Sequence, residues 1–267
     1  MLRWIERLKI FFRLLLNTLK IWSFQDWLAF WLTSRKTQAV LNGFTMNIRT
    51  SSFTEKLSDI MIVFEVLHDG EYDMCAIYPD DIIIDIGGHI GSFSIMASRK
   101  ALQGKIFTFE AFEETFQQLQ KNLAENRAHN VRAFHLAVSD AVGRQTLFVN
   151  RLNQAQNSLY ADSGEEHIIE TTTLKKIFAD NEIERCNLMK VDCEGAEYDI
   201  FFSASEALPK IDRIILEYHE PSAAQIAKGY SPAALERLLV DNGFTVRTLV
   251  NTHYRGVMYA ERDQTPR

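Results

Sequence analysis

Ile82-Ile83-Ile84-Asp85-Ile86-Gly87-Gly88-His89-Ile90-Gly91 is the stretch whose reading decides the fold. The apolar run predicts a buried strand, the glycines predict a turn, and Ser92–Ala101 has the composition of a helix that starts at once. Glycines let the backbone approach a ligand, and a helix beginning near Ser92 points free N–H groups at it, so the segment reads as a nucleotide-binding loop.

The residues also say which nucleotide. A dinucleotide fingerprint, G-x-G-x-x-G, needs its second glycine where His89 stands, and an imidazole there crowds a diphosphate. What remains is D-x-G-x-x-x-G, from Asp85 to Gly91. A carboxylate two residues ahead of the first glycine suits a cofactor with an ammonium group and no phosphate, a description that fits S-adenosylmethionine. A second strand, Lys105–Glu110, ends in an acid 19 residues beyond Gly91, where an acid accepts hydrogen bonds from both ribose hydroxyls.

The chain has 267 residues, 46% of them hydrophobic, enough for one core and a small appendage. Cys75, Cys186 and Cys193 form no C-x-x-C pair, which predicts free thiols in a reducing compartment and no structural zinc. The formal net charge of −6 hides an asymmetry: residues 1–36 carry a net +5, leaving −11 for the rest. An acidic body argues against nucleic acid as a partner. The basic head is also apolar, from Leu2 to Trp22 and again from Trp27 to Leu32, but charges interrupt it too often for a spanning helix. No small-residue cleavage site follows it, so the expected location is the cytoplasm. As an amphipathic helical segment, residues 1–36 either dock peripherally on anionic membrane or pack on the catalytic domain or a partner subunit. The expected organisation is therefore this segment, a cap over 37–80, and a cofactor-binding domain over 81–267.

Within the cap, Phe44–Arg49 alternates like a strand, Asp59–Leu67 predicts an amphipathic helix and His68–Tyr72 a turn. Beyond Glu110, the spacing predicts a helix over Glu113–Arg127 and a third strand over Val131–Val138, closing on Ser139 and Asp140. Strand, helix, strand, helix, strand implies a doubly wound, mostly parallel sheet whose ligands bind at the carboxyl edge. Asp85, Glu110 and Asp140 all fall there, and Asp140 can accept from an adenine amino group or simply close a turn. Strands at Gln145–Val149 and His167–Thr173 flank a polar insertion, Asn150–Glu166, that either contributes to an acceptor site or solvates an edge.

A fourth strand, Asn187–Asp192, runs into Cys193-Glu194-Gly195-Ala196-Glu197 and a helix over Tyr198–Phe202. Asp192, Glu194 and Glu197 close to Lys190 are costly at a buried strand end unless they serve a ligand or each other; pairing of Lys190 with Glu194 or Glu197 is the structural alternative. A fifth strand, Arg213–His219, places Glu217 and His219 on one face, near Asp192 if the strands are neighbours. A helix over Pro232–Asn242 and strands over Phe244–Val250 and Gly256–Glu261 complete the pattern.

Asp85–Gly91, F-E-A-F (Phe109–Phe112), A-V-S-D (Ala137–Asp140), T-L-K-K-I (Thr173–Ile177), K-V-D-C-E-G-A-E (Lys190–Glu197) and L-E-Y-H (Leu216–His219) together resemble the FkbM family of S-adenosylmethionine-dependent methyltransferases. Gly88 and His89 stand where that family usually has Ala and Asn. The resemblance implies a class I methyltransferase (Rossmann-like) α/β fold of about seven strands and O-methylation of a hydroxyl on a small molecule, sugar or glycolipid. By similarity, the cofactor-binding set is Asp85, Gly87, Gly88, His89, Gly91, Glu110, Ala111, Phe112, Ser139 and Asp140. His219 is the expected general base, with Asp192, Glu194 and Glu217 orienting acceptor and cofactor. Asp192, Glu194 and Glu217 can alternatively bind a divalent cation that lowers the acceptor's pKa. Two other classes stay open: a non-catalytic methyltransferase-like binding protein, and a nicotinamide-dependent reductase, which His89 opposes.

Overall fold

The computed structural model describes residues 12–19, 22–33, 37–149, 158–159, 164–204, 206–252 and 255–262. Residues 12–19 are helical, and α1 (Phe24–Leu32) follows, with the Ser23 hydroxyl accepting from Asp26 N. Leu14, Trp22, Phe30 and Trp31 are buried in one cluster with Ile60, Val63, Phe64 and Ile83, so the described part of the head packs on the body of the protein. Its outer side keeps apolar exposure, with Leu16 at 60% and Leu32 at 73%. Among the described residues no helix is long and apolar enough to cross a membrane.

A hairpin of β1 (Gln38–Leu41) and β2 (Phe44–Asn47) leads to α2 (Phe53–Leu67). This helix starts earlier than the expected Asp59, because Ser52 and Glu55 close a reciprocal capping box that satisfies two otherwise orphaned N–H groups. It then packs along α3 (Ser92–Lys100), which follows β3 (Ile82–Ile86) and the glycine loop. Next in the chain come β4 (Lys105–Glu110), α4 (Glu113–Glu125) and β5 (Val131–His135).

The expected third strand divides in two. At Leu136 the chain leaves the main sheet, and β6 (Ala137–Val138) pairs in parallel with Thr171 and Thr172 of β8 (Glu165–Thr172). With β7 (Gly143–Val149), antiparallel to β8, these make a separate three-stranded sheet. Composition alone does not mark the break, because both halves of Val131–Val138 are apolar enough to be buried.

After α5 (Leu174–Asp180) come β9 (Leu188–Val191), α6 (Glu197–Ser203), β10 (Arg213–His219), α7 (Ala223–Ala227), α8 (Pro232–Asp241), β11 (Phe244–Asn251) and β12 (Arg255–Arg262). The main sheet has seven strands in the order β11-β12-β10-β9-β3-β4-β5, and β12 is antiparallel to both its neighbours. β3 is flanked by β4 on one side and β9 on the other. The connections from β3 wind one way and those from β9 the other, so the crevice at their carboxyl ends is a topological switch point, where open α/β sheets bind ligands.

Candidate active site

The glycine loop is built into the sheet. Gly87 N and Gly88 N donate to Phe109 O at 3.0 and 2.9 Å, and Gly91 N donates to Gly88 O at 2.9 Å. Gly87 has φ +80, and a Cβ there would lie 1.7 Å from Asp192 O, so no other residue fits between β3 and β9. Gly88 is required for a different reason: a Cβ would meet Thr108 Oγ1 at 2.2 Å. The departure from Ala at this position is thus matched by a threonine hydroxyl from β4.

Asp85 does not face the crevice. It is fully buried behind the loop, with Oδ2 accepting from Ser94 Oγ at 2.7 Å and Thr108 Oγ1 at 3.1 Å, and Oδ1 3.3 Å from Lys190 Nζ. Lys190 also donates to Gly87 O at 2.6 Å. Lys190 therefore pairs with Asp85 rather than with Glu194 or Glu197, and Asp85 acts on the crevice through the lysine and the loop.

Around the loop lies a cavity of about 370 Å³. One wall is formed by Gly87, Gly88, His89, Glu110 and Ala111 with Phe109, Leu136, Leu147 and Leu159; the other carries Asp192, Glu194, Glu217 and His219, faced by Glu65, Glu71 and Arg255. Gly91, Phe112, Ser139 and Asp140 lie outside this lining. Phe112 still contributes, because its N–H donates to Glu110 Oε1 at 2.9 Å while His89 N donates to Oε2 at 3.0 Å. These bonds aim the Glu110 carboxylate; its burial nonetheless pushes its pKa up. Ser139 is tied to Gln145, and Asp140 is exposed. Most of the insertion expected over Asn150–Glu166 lies outside the described residues, but Leu159 reaches the cavity and Ser158 Oγ donates to Glu194 O.

At the second wall, His219 Nδ1 is 3.0 Å from Oε1 of Glu197, the fully buried first residue of α6. That oxygen also accepts from Gly195 N at 3.0 Å. The other ring nitrogen, Nε2, is 3.3 Å from Glu194 Oε2 and 3.5 Å from Glu217 Oε1. Burial disfavours an imidazolium here, but the Glu197 hydrogen bond and the charges of Glu197, Glu194 and Asp192 outweigh it and push His219 up to about 10. Glu194 is pushed up to about 8, chiefly by burial. Glu217 is held by Arg255 Nη1 at 2.7 and 2.8 Å to its two oxygens. Asp192, Glu194 and His219 each offer one ligand atom, all within 4.8 Å of one another, so the geometry puts His219 where the sequence suggested Glu217 in a cation set.

The sequence reading missed several residues of this site. The pattern marks Glu197 as a carboxylate that serves a ligand or a neighbour but not as the partner of His219, and Glu65, Glu71 and Arg255 come from elements distant in the chain. Ser92 reads in the sequence as a helix start alone, yet its hydroxyl is buried at the cavity wall with no hydrogen-bond partner among the described residues.

Comparison with known proteins identifies the family. The model of the FkbM methyltransferase domain matches residues 85–246, from the glycine loop into β11. The methyltransferase sdnD of Sordaria araneosa is 29% identical over 224 residues, covering 72% of this chain and 84% of that protein. The hexuronic acid methyltransferase AglP of Haloferax volcanii is 27% identical over 141 residues, covering 52% and 56%. The 31-O-demethyl-FK506 methyltransferase FkbM of Streptomyces tacrolimicus is 24% identical over 200 residues, covering 63% and 74%. With its doubly wound, mostly parallel sheet and a family match over more than half its length, the chain has the class I methyltransferase fold and belongs to the FkbM methyltransferase family.

Proposed function

We propose that the protein transfers the methyl group of S-adenosylmethionine to a hydroxyl oxygen on a small-molecule or sugar acceptor. The observation that carries this reading is one continuous cavity at the switch point, with a backbone-held Glu110 on one wall and the His219–Glu197 pair on the other. Glu110 suits the ribose hydroxyls, and the apolar surface of Phe109, Leu136 and Leu147 suits the adenine ring. Ser92 Oγ, buried and without a partner among the described residues, would supply a further polar contact once a ligand reaches it. A relative that methylates a hexuronic acid and another named for an O-demethyl substrate support oxygen as the acceptor atom and a sugar or small molecule as its carrier.

Methyl transfer from a sulfonium is a direct displacement, so alignment and exclusion of water supply much of the rate. The acceptor hydroxyl must also lose its proton. His219 in the ligand-free site holds a proton well past neutrality, which makes it a poor base until its surroundings change. A cation-assisted version rests on the geometry of the three ligand atoms, and a bound cation would first have to displace the His219 proton. Asp192, Glu194 and His219 would hold a divalent cation, which when bound lowers the pKa of the acceptor hydroxyl. Glu197 fixes the orientation of His219 in either version, as carboxylates do behind metal-binding or proton-accepting histidines.

Incubation with methyl-labelled S-adenosylmethionine and a panel of hydroxylated sugars and small molecules, with and without magnesium, tests the reading. Label on an acceptor oxygen, lost in Asp192→Asn, supports it. Cofactor binding without transfer to any acceptor would favour a non-catalytic binding protein instead.

A further inference from the structure

His89 sits at φ +46 in the middle of the glycine loop, and its ring is engaged by two residues from the cap. Arg49, just beyond β2, and Asp59, in α2, form a buried ion pair with Nη2 and Oδ1 2.6 Å apart. The same Nη2 lies 3.2 Å from His89 Nε2. Arg49 is anchored from the other side as well, with Nη1 donating to Thr115 Oγ1 at 2.6 Å.

A guanidinium has donors only, so its neighbour Nε2 must present a lone pair. The competing arrangement, an Nε2–H directed at Asp59 Oδ1, is disfavoured. That oxygen is 3.5 Å away and already accepts from Arg49 Nη2 at 2.6 Å and Nε at 3.2 Å. Burial and the charges of Arg49 and Lys190 keep the ring neutral, in agreement with this geometry. The single ring proton then belongs on Nδ1. That atom is buried, has no hydrogen-bond partner among the described residues, and belongs to a residue of the cavity wall between Gly88 and Glu110. A buried donor left without an acceptor is costly, and a ligand entering the cavity would supply the acceptor once a small turn of the ring brings Nδ1 to it.

We propose that Arg49 and Asp59 are positioning residues that hold His89 as its neutral Nδ1–H tautomer, so that Nδ1 donates a hydrogen bond to an oxygen of the bound cofactor. The proposal rests on the S-adenosylmethionine reading above. It also accounts for a histidine where the family usually has asparagine: the amide nitrogen of Asn and Nδ1 of His are the same number of bonds from the backbone, so either can deliver an N–H to one point. The cap thereby sets the chemistry of the glycine loop as well as covering it.

Nitrogen-15 spectroscopy of the histidine rings in the full, ligand-free chain tests the positioning role, with His89→Asn identifying the resonance. A protonated Nδ1 and a pyridine-type Nε2 are expected; a protonated Nε2, or a cation at neutral pH, overturns it. In the double variant Arg49→Met/Asp59→Asn, which removes both charges of the pair, the ring should lose its single tautomer. Binding of S-adenosylhomocysteine should stay within about threefold of wild type in His89→Asn and weaken about tenfold in His89→Leu. Methylthioadenosine, which lacks the amino-acid carboxylate, separates the acceptors: if His89→Leu leaves its affinity unchanged, the carboxylate is the acceptor, and if affinity falls equally, a ribose oxygen is. Wild-type affinity for S-adenosylhomocysteine in His89→Leu refutes the donor role. Failure of the wild type itself to bind it contradicts the cofactor reading, whereas a wrong tautomer with intact binding contradicts only the role of Arg49 and Asp59.

Discussion

Glu197 Oε1 stands 3.0 Å from His219 Nδ1, and this contact ties the first turn of α6 to the end of β10. Because Glu197 is fully buried and also accepts from Gly195 N, it cannot swing away when a ligand arrives. It fixes which ring nitrogen faces the cavity and supports positive charge on the ring.

Replacing Glu197 by Gln keeps the shape and removes the charge. The His219 pKa should fall, and turnover should drop about 10–100-fold while affinity for S-adenosylhomocysteine is unchanged, since Glu197 does not line the cavity and acts through His219. Steady-state kinetics beside calorimetry checks this; an equal loss of cofactor affinity would make Glu197 a general structural residue.

Gly88→Ala sets a methyl group against Thr108 Oγ1, in a wall where neither can move far. The expected cost is about 1–3 kcal/mol in denaturant unfolding. Removing the hydroxyl and methyl together in Gly88→Ala/Thr108→Ala should recover part of it, although Asp85 then loses one of its donors. No recovery would show that the loop, and not the threonine, excludes Ala.

Much of this arrangement is legible in the sequence, for reasons of locality. Ile82–Ile86 is too apolar to be anything but a central strand, and Arg213–His219 appears with its expected bounds. Asp192, Glu194, Glu217 and His219 converge because two parallel strands that the sequence left as neighbours only conditionally do pair and end together. What escapes is long-range. Nothing near Arg49 or Asp59 announces a contact with His89, and Glu65, Glu71 and Arg255 reach the cavity only through the packing of α2 and the antiparallel return of β12. Asp85 illustrates the opposite failure: its place in the motif suggested a ligand contact, yet the strand turns its side chain inward to Ser94, Thr108 and Lys190.

Glu65 and Glu71 give the ligand-free protein a pH signature. Burial, with the charge of Glu71 adding to it, pushes Glu65 up to about 7, and burial with the charges of Glu217 and Asp192 pushes Glu71 up to about 6, above the ordinary carboxylate value. A raised folded-state pKa means that the folded chain binds more protons than the unfolded chain between roughly pH 4.5 and 7, so stability falls as pH rises through that window. Thermal unfolding should show Tm declining from about pH 5 to 8, with Glu65→Gln flattening the slope. A slope unchanged in that variant would assign the pH dependence to other groups.

The head makes a separate prediction. Leu14, Trp22, Phe30 and Trp31 belong to the core cluster, so deleting residues 1–36 should destabilise the protein. Leu16→Glu alters only the exposed side and should leave Tm nearly unchanged. If the exposed apolar side docks on anionic membrane, Leu16→Glu should weaken sedimentation with vesicles containing phosphatidylserine; wild-type sedimentation by the variant would count against docking through that side.

The most direct test of the central claim is calorimetric titration of the purified chain with S-adenosylhomocysteine, with NAD as control, in wild type and Glu110→Ala. Micromolar binding of S-adenosylhomocysteine alone, weakened about tenfold or more in Glu110→Ala, is the predicted result. Binding of NAD, or an affinity for S-adenosylhomocysteine that the loss of Glu110 leaves untouched, would contradict it.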